Sequence, residues 1–313
     1  MTAHRDSQEE RALHSALSCQ GLTIRYGHQT VVENVTFSVR PGSLYALLGR
    51  NGAGKSSMIR CLLGQQRPQA GSLRILGLDA WRRRAQAMGR TGVVPERPDA
   101  PPALNPKQLG RLCQPLYPRW NEAGYRQRLD RFGVAEKTPF GKLSRGQQTL
   151  VQLALALAPA PELLVLDDPT LGLDAVARRD FFQELMGELH DSEATVLLTS
   201  HDLEGISRIA DRVGILHGGR LQLDEDLDVL KDRFRRIRYG KTPAHEVEGL
   251  IEALQPVRRQ IGAWGPEAVV ARCDAEMTQG LRHQTGGSVE VEPMSLEEIF
   301  IAVTGDGGEG GAQ

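Results

Sequence analysis

The chain has 313 residues, 40% of them hydrophobic and 25% charged, an ordinary globular composition with room for one large domain or two modest ones. Its 38 Lys and Arg nearly balance 39 Asp and Glu, leaving a net charge of −1, so no global basic field points to nucleic acid, and none is expected as a partner. No stretch offers the roughly 20 consecutive apolar residues of a membrane span; the best, Thr149 to Leu166, is interrupted by Gln152, Pro159, Pro161 and Glu162. The first fifteen residues lack the apolar core of a signal peptide. Cys19, Cys61, Cys113 and Cys273 are far apart and form no CxxC pair, which predicts reduced thiols in a cytoplasmic setting.

Residues 1–18 are polar and charged and read as a flexible tail. From Gly21 the alternation in LTIRYG, TVVENVTFSVR and SLYALLG predicts strands, with turns at Tyr26-Gly27-His28 and Arg40-Pro41-Gly42. SSMIRCLLG has helical spacing, and SLRILG reads as part of a strand pair ending at Gly77. Residues 103–138 carry helix-like patterns broken by Pro106, Pro115 and Pro118. TLVQLALALA predicts a helix, ELLVLDD an apolar strand, AVARRDFFQELMGELH a charged helix and TVLLTS another strand. The short helix DLEGISRIA then leads to a last strand pair, RVGILHGGRLQL. Apolar strands alternating with helices predict an α/β domain on a largely parallel, buried sheet. After about residue 223 the pattern weakens, running from the charged segment DEDLDVLKDRFRRIRYG to SLEEIFIAVTG and a glycine-rich end.

Gly49-Arg50-Asn51-Gly52-Ala53-Gly54-Lys55-Ser56 fits G-x-x-x-x-G-K-[ST], the phosphate loop. An apolar strand enters it and a helix leaves, so the backbone N–H groups of residues 49–57, with Ser57 in the first turn, are set to face phosphate oxygens. Lys55 would reach the β- and γ-phosphates and the Ser56 hydroxyl would ligate Mg²⁺. A nucleoside triphosphate is the predicted ligand. The second half of such a site is an acid at the end of a buried strand, and Leu163-Leu164-Val165-Leu166-Asp167-Asp168 supplies it. Asp167 would hold Mg²⁺ through water, and Asp168 stands where a base could orient the attacking water.

Between these halves lies Leu143-Ser144-Arg145-Gly146-Gln147. A Ser and a Gly opening a helix make a second anion site, with no evident phosphate for it from the chain's own loop. LSRGQ resembles the LSGGQ signature of ABC-type ATPases. Gly172-Leu173-Asp174 is similar to that family's D-loop and His201, in LLTSHD, to its switch histidine. Tyr26 lies where the family stacks an aromatic ring on adenine, and Glu96, in Val93-Val94-Pro95-Glu96, where it has the Q-loop glutamine. The resemblance covers about residues 19–222. It implies the α/β P-loop NTPase fold of ABC type, with a mixed sheet core and a helical subdomain at about 97–160. A small α/β accessory domain would follow over 223–304, and a disordered tail over 305–313. It also implies ATP and Mg²⁺ as cofactors, with Ser56, Glu96 and Asp167 around the metal and Lys55, Asp168 and His201 as catalytic residues. A second copy, or a homologous ATPase subunit, would pair head to tail, so that Ser144, Gly146 and Gln147 act on the partner's γ-phosphate. SLEEIFIAVTG and WNEAGYRQRLDRFGV resemble ATPase subunits of bacterial exporters with a separate permease. The chain would then sit on the inner face of the cell membrane through that permease, which residues 85–120 would face.

Three positions depart from the family's pattern. Asp168 replaces the usual Glu, drawing the carboxylate back by roughly 1 Å, which predicts slow hydrolysis. Glu96 keeps an oxygen for Mg²⁺ but adds negative charge. Arg145 replaces a glycine and would meet either the partner's nucleotide or solvent. The basic runs Arg82–Arg84 and Arg233–Arg238 read as solvated faces or as contacts with anionic lipid, and Tyr117 and Trp120 as packing or permease contacts. Two other functions fit the motifs: a soluble ABC ATPase that remodels ribosomes or DNA, and an ATP-gated regulator with scarcely any hydrolysis. A single phosphate loop, and the short stretch from Lys55 to Gln148, weigh against the first; Asp168 keeps the second open.

Overall fold

The computed structural model describes residues 15–192, 194–240, 245–262 and 265–305, so most of the two expected tails, residues 1–14 and 306–313, lies outside the described residues. The chain divides into two units. One comprises the chain up to Asp202 together with Arg212–Asp224; the other comprises Leu203–Asp211 and the chain from Glu225 onward.

The first unit is built on two sheets. β1 (Leu17–Tyr26), β2 (Gln29–Val39), β4 (Ala70–Ile75) and β5 (Leu78–Asp79) form an antiparallel sheet in the order β2-β1-β4-β5. β3 (Leu44–Gly49), β6 (Thr91–Val94), β7 (Leu163–Asp167), β8 (Thr195–Thr199), β9 (Arg212–His217) and β10 (Arg220–Asp226) form the other, in the order β10-β9-β3-β8-β7-β6. From β9 to β6 that sheet is parallel throughout. Its central strands LYALLG and TVLLT are buried at every position, as strands covered on both faces must be. Helix α1 (Lys55–Leu62) packs against β2, β3 and β4, burying Met58, Ile59 and Leu62 in a core shared with both sheets. β1 starts at Leu17, fully buried and paired with Val39 and Ile75, so residues 17 and 18 belong to the sheet and not to the tail expected over 1–18.

After α2 (Arg84–Met88) and β6, the chain enters the helical stretch: α3 (Pro106–Cys113), α4 (Glu122–Arg131) and α5 (Arg145–Leu157). Pro106 starts a helix where the sequence pattern suggested a break. It occupies the first turn behind Asn105, whose side chain forms a capping box with Gln108, and a missing N–H costs nothing at that position. α6 (Ala175–Ser192) follows β7 and is tied to α4 by ion pairs: Arg128 reaches Glu184 and Glu188, each at 2.7 Å. Tyr125 and Trp120 pack ring to ring at 5.4 Å, so the Trp120 ring packs within the helical stretch.

In the second unit, β11 (Arg235–Tyr239), α9 (His245–Ala253), β12 (Arg258–Gly262), β13 (Gly265–Val270), α10 (Ala275–Gln284) and β14 (Val289–Pro293) give a βαββαβ succession. The sheet is antiparallel in the order β12-β13-β11-β14, the split-βαβ topology. Ile237, Ala268, Val270, Val289 and Val291 line one face and pack with Ile251 and Leu281. The unit also takes α7 (Leu203–Ile206), α8 (Leu227–Arg233) and α11 (Leu296–Thr304). Leu203–Asp211 join it because the Leu227 N–H donates to the Asp211 carbonyl, the Lys231 ammonium donates to the Ser207 carbonyl, and α7 packs on α11. The chain-order boundary at 223 had left that segment in the first domain.

The run Arg233–Arg238 is not a solvated face. Ile237 is fully buried, Arg236 bonds Glu298 at 2.8 Å, and Arg238 bonds Glu267 at 3.0 Å and Glu292 at 2.7 Å. The four cysteines are free thiols. Cys19, Cys61 and Cys273 are buried, and burial pushes the Cys61 thiol up to about 11.

Candidate active site

β3, β7 and β8 all end on the same side of the parallel sheet, with Asp167 opposite Thr199 and Leu47 opposite Thr199 in register. Ligand sites of open α/β sheets collect at such carboxyl ends. Gly49 closes β3 and the loop turns directly into α1. Gly54, at φ 110°, precedes that helix, and a Cβ there would stand 2.7 Å from Val32 Cγ2. At Gly49 a Cβ would stand 2.7 Å from the Leu216 carbonyl oxygen. Both glycines are therefore demanded by close approach, and Gly54 also by its positive φ.

The loop opens into a cleft of about 350 Å³ lined by Lys55, Ser56, Glu96, Asp167, Asp168 and His201. Asn51, Gly52, Ala53, Gly54 and Ser57 also line it, while Gly49 and Arg50 hold it from behind: the buried Lys55 ammonium donates to the Gly49 carbonyl at 2.6 Å and to that of Arg50 at 3.4 Å. Desolvation draws Lys55 below the usual lysine range, against the raising effect of Asp168, Asp167 and Glu96. The same desolvation raises both aspartates. At Asp167 it outweighs hydrogen bonds from Thr199 and Ser56; at Asp168 it outweighs His201, whose Nε2 stands 3.2 Å from Asp168 Oδ2. The Asp167, Asp168 and Glu96 carboxylates thus outnumber Lys55 and Arg60, the lysine and arginine that line the cleft with them.

The donor set of the cleft fits Mg²⁺. The Ser56 hydroxyl and the Asp167 and Glu96 carboxylates are hard oxygen donors, and among the described residues no group of three or more His, Cys, Asp or Glu could hold a metal alone. Mg²⁺ is bound in that way, by one or two carboxylates with substrate phosphates and water completing its shell.

Thr199 is a residue the sequence reading missed. Fully buried at the end of β8, its hydroxyl donates to Asp167 Oδ1 at 2.7 Å and accepts the Asp168 N–H at 2.9 Å. It thereby orients the Asp167 carboxylate and anchors the backbone of Asp168, which has a left-handed conformation at φ 45°. The available signal was a threonine closing an otherwise apolar strand. Val31, Arg60 and Leu171 also line the cleft unforeseen. Tyr26 stands beside the cleft and not among its lining residues; 44% exposed, its hydroxyl donates to Gln66 at 2.6 Å and to Ser57 at 3.3 Å.

The signature residues are elsewhere. Ser144 and Gln147 form a capping box at the start of α5, and Ser144, Gly146 and Gln147 are absent from the cleft lining. Arg145 is exposed, as its solvent alternative expected, and it also lies against the turn after β7. Its Cδ, Nε and Cζ lie 3.2–3.3 Å from where Gly172 would carry a Cβ, so the guanidinium covers the turn after β7.

With this geometry in place, comparison with known proteins is decisive. The ABC transporter family profile matches residues 32–171. The Nod factor export ATP-binding protein I of Bradyrhizobium diazoefficiens is 32% identical over 297 residues, spanning 93% of this chain and 96% of that one. The chain belongs to the ATP-binding subunits of ABC transporters. A solved ATP-binding subunit of an ABC transporter matches with a TM-score of 0.64 at 30% identity, covering 69% of this chain and 92% of its own. A dimeric bacterial ABC transporter cassette shares the fold at 22% identity and a TM-score of 0.61, over 67% of this chain and 98% of its own. The ABC subunit accordingly has the ATPase cassette fold and a nucleotide site of the kind that binds ATP, and none of its described helices is long and apolar enough to cross a membrane.

Proposed function

We propose that this ABC subunit powers transport by a separate membrane permease, with export as the direction, through ATP-driven head-to-tail pairing of two copies or of one copy with a homologous subunit. The observation that carries the reading is the separation of the phosphate loop from Ser144, Gly146 and Gln147. A capped helix N-terminus with exposed donors, placed away from the chain's own loop, suits a phosphate presented by another subunit. The exporter relative and the dimeric cassette support the same reading.

In this mechanism the loop N–H groups and Lys55 hold the β- and γ-phosphates, and Tyr26 covers the base. Ser56, Asp167 and Glu96 would hold Mg²⁺, which when bound neutralises phosphate charge. Asp168 accepts a hydrogen bond from the attacking water and takes its proton, and His201 donates to the γ-phosphate. The partner's Ser144 and Gly146 close over that phosphate, so two chains are needed for one complete site. Asp168 holds its carboxylate further back than a Glu would, and turnover is correspondingly slow.

The test is phosphate release from Mg-ATP against protein concentration, alone and after mixing two inactive variants. Lys55→Ala retains its signature and Ser144→Arg retains its loop, so a mixed pair carries one intact site. A rate per molecule that rises with concentration, and activity recovered on mixing, are the expected results. A rate per molecule independent of concentration, with no recovery, would overturn the pairing.

A further inference from the structure

Residues 60–90 hold seven arginines, no lysine and a single acid, Asp79. That is a surplus of +6 within a chain of net charge −1, so the remaining residues together carry −7. Part of the surplus is engaged. Arg90 pairs with Glu162, Arg84 donates to the Leu63 carbonyl at 2.8 Å, and Arg60 lines the nucleotide cleft. Arg67, Arg74, Arg82 and Arg83 remain, all exposed, and among the described residues none of the four is ion-paired. Asp79 does not neutralise them; its Oδ1 accepts the N–H groups of Trp81 and Arg82 at 3.0 and 2.7 Å. Trp81 and Arg82 of this turn line a cavity of about 210 Å³ together with Arg67, Gln69 and Ser72. Trp81 is 46% exposed there, a large apolar ring that the fold leaves half in water.

We propose that this face, centred on Arg67, Trp81 and Arg82, docks on anionic phospholipid headgroups; it rests on the reading that the subunit works against a membrane permease. Guanidinium groups bind phosphate with paired N–H donors. An indole beside them has the amphipathic character that settles at headgroup depth. The exposed Arg67, Arg74, Arg82 and Arg83, unpaired with any acid among the described residues, give this segment the charge complementarity that a negative plane attracts. One tryptophan offers no series of stacking platforms for the bases of a nucleic acid.

Co-sedimentation of the full chain with lipid vesicles tests this. Binding is expected to vesicles of mixed phosphatidylcholine and phosphatidylglycerol, not to phosphatidylcholine alone, and to fall as salt rises. Each arginine near such a surface contributes about fivefold to partitioning. The surface variant Arg67→Ala/Arg82→Ala/Arg83→Ala should therefore lose on the order of a hundredfold, and Trp81→Ala less, while both keep ATP binding. A wild-type chain that stays in the supernatant with anionic vesicles at low salt overturns the proposal, as does a triple variant that sediments like wild type. ATP binding in the same samples separates the two readings: a chain that binds ATP and ignores vesicles defeats only the lipid surface, and one that binds vesicles but no ATP defeats the transport reading.

Discussion

The nucleotide cleft of the first unit and the charged sheet face of the second use the same side chains to opposite ends. In the cleft, Asp167 and Asp168 are desolvated beside one lysine whose own charge is disfavoured by burial. In the second unit Glu267 is also buried, and burial alone would raise it. The Gln260 amide and the guanidiniums of Arg238 and Arg236 outweigh that effect and hold it below the usual carboxylate range. Glu298 behaves alike, its burial overcome by Ser295 and Arg236. A carboxylate cluster held ionised by its own chain's arginines is structural; one that burial pushes toward its neutral form, beside a phosphate loop, is poised for a ligand. Substitutions in the two places should therefore differ in kind: in the cleft they change turnover, and in the second unit they change folding.

The largest effect is expected at Lys55. Removing the cation that meets the phosphates should lower ATP turnover by at least about a hundredfold in Lys55→Ala, measured as phosphate release, with thermal unfolding of the nucleotide-free chain little changed. Conversely, Glu267→Ala strips the central acid from between Arg236 and Arg238, which keep Glu298 and Glu292, and should cost about 1–3 kcal/mol in the second unit. Urea unfolding followed by two probes, one in each unit, would show the second unit melting early. Nucleotide affinity at low denaturant should persist, and a loss of affinity with no change in unfolding would break the contrast.

Asp168→Glu comes next. Returning the methylene should raise turnover by up to about a hundredfold, provided Thr199 still holds the backbone at residue 168. Unchanged turnover in single-turnover assays would mean that the shorter side chain already reaches its target and that the slow step lies elsewhere.

These contrasts also mark what could be read from the sequence. The parallel sheet was legible because LYALLG, ELLVLDD and TVLLTS are short apolar runs between helical patterns, and the cleft because Lys55, Ser56 and Asp167 must stand at strand ends for phosphate chemistry. Thr199 escaped because its role depends on register, which pairs it with Asp167 across two strands distant in sequence. The contact of Arg145 with Gly172 was not legible because it depends on how the turn after β7 folds back. The second unit was faint for a related reason. Its strands RRIRY and VEVEP carry charges on a face that periodicity assigns to solvent, and only the cross-strand pairs of Arg238 with Glu267 and Glu292 turn them inward. Pro106 misled because a proline reads as a break unless the capping residue before it is recognised.

The smallest effect is the most diagnostic, since it should have opposite signs in the two regions. Glu267 and Glu298 titrate below their ordinary 4.5 when folded, so the stability they confer is present above that pH and is lost as the pH falls through the depressed folded values. Asp167 and Asp168 titrate above their ordinary 3.8. Folding there binds extra protons, and stability declines as the pH rises from 3.8 through the raised values, leaving the ionised cleft strained at neutral pH unless a ligand is bound. Asp168→Asn should relieve that strain. The nucleotide-free chain should gain about 1 kcal/mol, or roughly 2–4 °C in Tm, at pH 7, with the gain shrinking in acid, whereas Glu267→Gln should lose stability at pH 7 and approach wild type in acid. Thermal melts of both variants at neutral and acid pH decide it. If Asp168→Asn melts below wild type at neutral pH, the contact with His201 outweighs desolvation, and the cleft carboxylates are as structural as those of the second unit.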